Sequence, residues 1–208
     1  MRKTDPEVLA AFAAAGLPVP VYDEEDTAVQ AWRRSASLLG SAVHSVLACT
    51  VAAAQHADTE ERRALVGAAV HNVVRGRQFG RLDKARLHVS SVAMQYINLY
   101  LPEAEVDFLG AERTLGAGRA DLLWRRSDGA IWADEIKTWR HVSTEPEEQA
   151  ARQIALYLSG GVMQFGEAFM GVRVLTLGNR SRSVFVDVEG HASPLSETEC
   201  PLRLGGTR

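Results

Sequence analysis

The sequence predicts a mixed α/β fold, in which an all-helical N-terminal half is followed by a short mixed sheet flanked by helices. Two observations predict this class. Hydrophobic residues recur at helical spacing as far as residue 101, and from Glu105 they alternate with polar residues instead. The turn signal Ser127-Asp128-Gly129 then separates two strand-like segments, which is typical of a β-hairpin. The 208 residues, 46% of them hydrophobic, suit one domain with a sizeable core.

Four helical segments make up residues 1–103 of the single domain that we expect over residues 1–208. The first begins after Pro6, and the others are predicted over 26–56, 59–75 and 83–101. Pro102 ends the last of them, because proline cannot continue a helix. The apolar stretch 41–54 is interrupted by His44, so we expect a buried helix there rather than a membrane span.

The α/β core is expected over residues 104–190, and an irregular tail over residues 191–208. Strands are predicted over 105–114, 119–126, 130–139, 172–177 and 184–188. A helix is predicted over 144–159, where Thr144 and Glu147 have the spacing of a capping box. Gly160-Gly161 is expected to end that helix, because glycine is common just past a helix C-terminus.

The hairpin decides which side chains share a face of the sheet. Glu135 and Lys137 are two residues apart on a strand, so they point to one face, while Asp134 points to the other. If residues 127–129 form a three-residue loop with a left-handed glycine, Asp121 lies opposite Glu135. The two carboxylates and the amine then converge. A two-residue Asp-Gly turn would shift the register by one and put the two acids on opposite faces.

Two opposed carboxylates repel each other, so such a pair favours a cation between them. Lys137 is one candidate cation, and a hard metal ion such as Mg²⁺ or Mn²⁺ is another, because the ligands are oxygens. Such an ion can polarise a phosphodiester, which makes hydrolysis of nucleic acid the natural chemistry. The chain has 20 arginines and only three lysines, so Lys137 in an apolar strand suggests a proton-transferring amine. A surface ion pair on an edge strand is the alternative.

Three motifs carry a resemblance to a known family: Gly118-Arg119-Ala120-Asp121, Asp134-Glu135-Ile136-Lys137-Thr138, and Gln153-Ile154-Ala155-Leu156-Tyr157. In order and spacing they resemble the PD-(D/E)XK nuclease superfamily, in its RecB-type exonuclease branch. The upstream G-x-x-x-H of that branch is matched by Gly67 to His71, and Gly40 to His44 is a second match. The resemblance covers about residues 67–188 and implies a restriction-endonuclease-like core.

The resemblance also implies roles for the matched residues. Asp121, Glu135 and the backbone carbonyl of Ile136 would hold the metal, and His71, or else His44, would be a further ligand. Lys137 would serve the attacking water. Gln153 and Tyr157 would orient the active site and the DNA strand, and four residues' spacing on a helix does put them on one face.

Four further residues are candidates near these motifs. Glu112 lies where such nucleases often carry another acid, although an exposed strand end explains it equally well. Arg119, Arg140 and Arg152 are candidates for phosphate contacts. A solvated face of mixed charge is the alternative for these arginines.

Composition limits the cofactors, partners and location. Cys49 and Cys200 are too few for the iron–sulfur cluster of some relatives, and no G-K-[ST] motif indicates ATP use. A net charge of −3 means that DNA affinity must come from a local patch. The first seven residues are too polar for a signal peptide, so we expect a cytoplasmic protein without a membrane anchor.

The expected function is metal-dependent cleavage of DNA, which in a bacterium implies repair, recombination or defence against foreign DNA. A helicase or a defence or repair complex would be the protein partner, and the apolar helices could bury a homodimer face. The first alternative is a non-catalytic DNA-binding or assembly subunit built on a nuclease fold. The second is a structural or interaction protein in which the matches are accidental.

Overall fold

The computed structural model describes residues 26–138, 144–177 and 183–195, and in 26–36 and 144–150 it describes the backbone alone. The chain divides into two compact units, Met1–Ala36 and Ser37–Arg208. The helices from residue 37 onward and all the described strands belong to the second unit. The helix predicted after Pro6 lies outside the described residues.

Three helices precede the sheet: α1 (Asp26–Ala54), α2 (Thr59–Arg75) and α3 (Leu82–Leu99). The predicted segments 26–56, 59–75 and 83–101 are therefore confirmed to within two residues at each end. Helix α2 begins at a capping box. The Asp58 carboxylate accepts from the backbone nitrogens of Glu60 and Glu61, and the Glu61 carboxylate accepts from that of Asp58.

Six strands form one mixed sheet in the order β1-β2-β3-β4-β5-β6. Their bounds are Asp107–Leu115, Gly118–Arg125, Ile131–Lys137, Phe169–Thr176, Val184–Asp187 and Ala192–Pro194. The β3–β4 pair is parallel, and the other neighbours are antiparallel. A parallel pair needs a long crossover, and helix α4 (Thr144–Phe165) with a short 3₁₀ turn supplies it. The predicted α/β class is confirmed.

Helices cover both faces of the sheet, so its central strands are buried on each side. One face packs with α1, α2 and α3 in a core that includes Val46, Leu47, Val70, Val89, Tyr96, Leu122, Trp124, Ile136 and Leu175. The other face packs with α4 in a core that includes Leu123, Ala133, Tyr157, Phe169 and Val172. In β3, six consecutive residues are buried as a result.

The apolar stretch of α1 lies in the first of these cores. Ser37–Ala54 is long and apolar enough to cross a membrane, with a mean hydropathy of 1.6. The same stretch places six side chains in the core with no exposed surface: Ala42, Val43, Val46, Leu47, Val51 and Ala54. One face of this stretch therefore packs in the core, and 39% of its residues are buried, so the predicted buried helix is confirmed for that face.

The end predicted for helix α4 is wrong, because the helix runs through Gly160-Gly161 to Phe165. These glycines serve close packing rather than a C-cap. A Cβ atom on Gly160 would lie 2.3 Å from the backbone nitrogen of Gly116, and one on Gly161 would lie 2.4 Å from the Phe169 ring. The side chains of the predicted Thr144–Glu147 capping box lie outside the described ones.

The prediction of an irregular tail is wrong for Ala192–Pro194, which pairs with β5 as strand β6. A turn brings the chain back: the Gly190 nitrogen donates to Asp187 O at 3.0 Å, and Gly190 has a φ of +88°. All three residues of β6 are exposed. They therefore carry no alternation of apolar and polar residues from which a strand could be predicted.

A buried ion pair joins β3 to β4. Arg173 lies beside Asp134 in the parallel register, and its Nε donates to Asp134 Oδ1 at 2.6 Å while a terminal nitrogen donates to Oδ2 at 2.6 Å. Tyr96 of α3 and Trp124 of β2 also donate to Oδ2, at 2.7 and 3.0 Å. Burial, followed by the Asp134 charge, raises the pKa of Tyr96, which therefore keeps its proton as a donor. The carboxylate thus links four elements.

Breaking this ion pair should be costly. Arg173→Met leaves a buried carboxylate without its counter-charge, and we expect a loss of about 3–5 kcal/mol in the free energy of unfolding. Arg125→Met removes an exposed pair with Asp107 and is the control, with an expected loss of about 0–1 kcal/mol. Urea denaturation measures both. Equal losses would contradict a special role for the buried pair.

The packing role of Gly160 gives a second prediction. Gly160→Ala should destabilise the protein by about 1–3 kcal/mol, because the methyl group meets backbone atoms of the β1–β2 turn. Gly67→Ala is the matched control in α2, where a Cβ meets nothing within 4 Å. This control should stabilise the protein by about 0.5–1 kcal/mol through helix propensity. Denaturation curves that show a gain in the free energy of unfolding for both variants would refute the close packing at Gly160.

Candidate active site

The β2–β3 hairpin has the register that brings the two predicted acids together. The Arg126 nitrogen donates to Ala130 O at 2.8 Å, and Gly129 has a φ of +91°, as a three-residue loop requires. Leu122 pairs with Asp134, and continuing this register by one residue puts Asp121 opposite Glu135. The three-residue alternative for the hairpin loop is therefore confirmed.

Neighbouring residues of β3 serve the two faces of the sheet, as predicted. Asp134 contacts Tyr96 on the side of α1, α2 and α3, whereas Glu135 contacts Tyr157 of α4 on the other side. Successive side chains along a strand point to opposite faces of the sheet. Glu135 and the buried ion pair are consequently adjacent in sequence and lie on opposite faces of the sheet.

His44 of α1 contacts two of the predicted metal-ligating groups. Its Nδ1 lies 3.0 Å from Asp121 Oδ1, and its Nε2 lies 3.0 Å from the carbonyl oxygen of Ile136. Asp121 Oδ2 accepts from the Ile136 nitrogen at 2.6 Å. Both partners of the imidazole are acceptors, so a doubly protonated ring satisfies both contacts. Burial lowers the pKa of His44, but the hydrogen bond and charge of Asp121 raise it further, and the net shift is upward.

The structure brings His44 to this cluster and leaves His71 outside it. A Cβ on Gly40 would lie 3.0 Å from Thr138 Oγ1, so the glycine lets α1 approach the end of β3 one turn before His44. Gly67 faces open space, and His71 is exposed on α2. Of the two G-x-x-x-H matches, only Gly40 to His44 therefore lies at the site, and His44 rather than His71 is the candidate ligand.

A hydrogen-bonded network connects β3 to α4. Lys137 Nζ pairs with Glu135 Oε1 and donates to Gln153 Oε1 at 3.0 Å, and Gln153 Nε2 donates to the Tyr157 hydroxyl. That hydroxyl lies 2.9 Å from Glu135 Oε2 and 2.7 Å from Arg119 O, and its single proton can be donated to either. The structure thus brings together the four candidate side chains of the second and third motifs: Glu135, Lys137, Gln153 and Tyr157.

The Tyr157 ring of this network packs directly against Gly118. A Cβ on Gly118 would lie 2.5 Å from the Tyr157 ring, so the glycine of the first motif makes room for the tyrosine of the third. Tyr157 has no exposed surface. Burial, followed by the charge of Glu135, raises the pKa of Tyr157, which keeps the hydroxyl protonated as a donor.

The electrostatics of the site favour a cation. Burial raises the pKa of Glu135, and the charge of Asp121 raises it further, while Lys137 opposes both effects. The paired carboxylates therefore retain an unfavourable interaction that a divalent ion would relieve. Two carboxylates, a carbonyl oxygen and one imidazole nitrogen form a donor set that suits Mg²⁺ or Mn²⁺.

Glu112 of β1 also lies beside this cluster. Ala111 pairs with Leu122 and Arg113 with Ala120, so Glu112 falls opposite Asp121. Ligand atoms of His44, Glu112 and Asp121 lie within 4.8 Å of one another. Glu112 has a φ of +53°, a conformation that costs a residue with a side chain on the order of 1–3 kcal/mol. No pattern in the sequence predicts this backbone conformation.

The candidate phosphate contacts are only partly brought to the site. Arg119 lies next to it, with Nε 2.8 Å from Glu112 Oε2. Arg152 is exposed on α4, one residue before Gln153, and Arg140 lies outside the described residues. The Asp134–Arg173 pair was not predicted, although a lone arginine in the apolar strand Phe169–Thr176 is a signal that a buried partner is needed.

The chain matches no protein-family model and no curated protein.

The upward shift of the His44 pKa gives a prediction for stability. A group with a raised pKa stabilises the folded protein fully below its unfolded-state pKa, and this contribution is lost as the pH rises through the folded-state pKa. His44→Gln should therefore cost most stability at the acidic end of a range of about pH 5.5 to 8.5 and less at the alkaline end. Urea denaturation in chelator measures the difference, with exposed His71→Gln as the control. A cost that grows with pH would contradict the contact with Asp121.

Proposed function

We propose that the protein is a metal-dependent nuclease with a restriction-endonuclease-like core, which hydrolyses phosphodiester bonds in DNA. The observation that supports this most is the convergence of Asp121, Glu135 and Lys137 on adjacent strands, with His44 bonded to the first of them. A purely structural role makes no demand for two opposed acids and a lysine at one place. The resemblance to RecB-type nucleases rests on the same residues.

The residues that would hold Mg²⁺ or Mn²⁺ are Asp121, Glu135, His44 and Ile136 through its carbonyl oxygen. When bound, the ion supplies Lewis-acid stabilisation of the charge that develops on the phosphate and lowers the pKa of a coordinated water. The proposed reaction uses neither an iron–sulfur cluster nor ATP. Without the ion, the His44 contacts to Asp121 and to the Ile136 carbonyl keep these two acceptors facing one point, and His44 must release a ring proton before it can bind the metal.

The chain's own residues position the reactants. The Lys137 amine is held by Glu135 on one side and Gln153 on the other, and from there it orients the attacking water. The Tyr157 hydroxyl fixes the second oxygen of Glu135 and the β2 backbone at Arg119. Arg119 and Arg152 are the proposed phosphate contacts beside this centre.

The proposed setting is the cytoplasm, in DNA repair, recombination or defence against foreign DNA, with a helicase or a similar complex as partner. The resemblance suggests this setting. The alternative function is a non-catalytic DNA-binding or assembly subunit. It predicts DNA binding without cleavage, so DNA binding in chelator is measured beside cleavage in the following experiment.

The test is cleavage of matched linear and circular DNA, single and double stranded, in Mg²⁺, Mn²⁺ or chelator. We expect metal-dependent cutting, and a loss of at least about 100-fold in rate for Lys137→Ala, since a positioned proton-transfer group contributes this much. Lys84→Ala, on the exposed surface of α3, is the matched control and should cut like the wild type. RNA of the same sequence tests the choice of nucleic acid.

Absence of cutting in every metal, together with DNA binding that survives in chelator, would reject the nuclease and favour the non-catalytic subunit. Cutting that Lys137→Ala retains in full would instead reject the role assigned to this lysine.

A further inference from the structure

Glu112 differs from the other strand residues in its backbone conformation and in its position beside the candidate metal site. Among the residues that the structure describes, it is the only one other than glycine with a left-handed backbone. It lies opposite Asp121 in the register of β1 and β2. One of its carboxylate oxygens lies within 4.8 Å of ligand atoms of both His44 and Asp121.

The Glu112 carboxylate is occupied by Arg119. The Arg119 Nε lies 2.8 Å from Glu112 Oε2, and the two side chains are 69% and 40% exposed. An exposed ion pair of this kind is weak and exchanges readily with other partners. The Arg119 backbone is anchored separately, because its carbonyl oxygen lies 2.7 Å from the Tyr157 hydroxyl. The guanidinium can therefore change partners without a shift of β2.

We propose that Arg119 is an exchange residue: it holds the Glu112 carboxylate in the free protein, and a phosphate of the substrate that binds Arg119 releases Glu112 to the metal ion. This inference rests on the proposed function, since it concerns the same metal centre. It adds a coupling between the substrate and the metal that the core motifs do not contain.

The distances allow this exchange with little movement. Two oxygens bound to one Mg²⁺ lie at most about 4.2 Å apart, because each bond is about 2.1 Å long. From a separation of at most 4.8 Å, the Glu112 oxygen therefore needs to move by less than about 1 Å relative to Asp121 to share an ion from the opposite side, and by less than about 2 Å to share it from an adjacent position. Arg119 has a good replacement partner, because a guanidinium binds phosphate with two parallel hydrogen bonds.

The coupling has a direct consequence for metal affinity. Without DNA, Arg119 competes with the metal for Glu112, so the metal binds through the remaining ligands. With DNA bound, the carboxylate is free and the metal binds more tightly. By reciprocity, the metal must strengthen DNA binding by the same factor.

Calorimetric titration of Mn²⁺ into the metal-free protein tests the first half of this mechanism. Arg119→Ala should tighten Mn²⁺ binding by about two- to fivefold, because competition from an exposed ion pair can weaken metal affinity by about this factor. Loss of a positive charge alone would tighten binding as well, so the same substitution is repeated in the Glu112→Gln background. We expect most of the gain to disappear there. An equal gain in both backgrounds would overturn the exchange.

A second titration includes a saturating thymidine oligonucleotide. All proteins in this arm carry Lys137→Ala, so that the strand is cut at least about 100-fold more slowly. Here Glu112→Gln should weaken Mn²⁺ binding by about tenfold, as the loss of a metal-site partner does. Without the oligonucleotide the loss should be smaller. A loss that is the same with and without the oligonucleotide would overturn the release of Glu112 by the substrate.

Two controls separate the ways in which this inference can fail. Glu112→Gly suits the left-handed backbone, so a loss of Mn²⁺ affinity equal to that of Glu112→Gln assigns the effect to the carboxylate. Asp121→Asn tests the metal centre itself. Mn²⁺ binding that is lost in Asp121→Asn but unchanged in the Glu112 variants would reject the exchange and leave the proposed function standing, whereas no Mn²⁺ binding with or without the oligonucleotide would reject both.

Discussion

The buried pair of Asp134 and Arg173 is the interaction on which the rest of the structure depends. The parallel β3–β4 contact has no turn to fix its register, because α4 lies between the two strands in the chain. A bidentate ion pair inside the sheet supplies that register, and two further hydrogen bonds to the carboxylate tie in α3 and β2. A charge buried so deeply tolerates only the geometry in which all its partners are present.

Strand β3 transmits this constraint to the candidate site. Its residues alternate between the two faces, so fixing Asp134 on one side also fixes Glu135 and Lys137 on the other. Glycines then let the neighbouring helices approach closely. Gly40 lets α1, which carries His44, lie close to Thr138 at the end of β3. Gly118 leaves room for the Tyr157 ring of α4. A side chain at position 118 would collide with the Tyr157 ring, and one at position 40 would crowd the Thr138 hydroxyl.

The site carries features that do not favour stability. Glu135 is buried beside a second carboxylate, which raises its pKa, and Glu112 has a strained backbone. Both features concentrate acceptor groups at one point of the molecule. Such local costs persist only where the surrounding structure fixes them, and here the ion pair, the hairpin and the close-packed helices do so. The same features are those from which we propose metal binding.

Local patterns in the sequence determine the order of the described helices and of the first five strands, and they limit the hairpin to two registers, of which the three-residue loop pairs Asp121 with Glu135. These features depend on residues that are close in the chain, so periodicity and turn chemistry are sufficient. Long-range packing decides the rest. The two G-x-x-x-H matches look alike, and only the approach of α1 to the end of β3 selects His44 over His71. Gly160-Gly161 resembles a helix end, but its contact with the β1–β2 turn keeps it inside α4. A glycine has the same local preferences whether it ends a helix or packs against a strand, so only the tertiary neighbour decides between them.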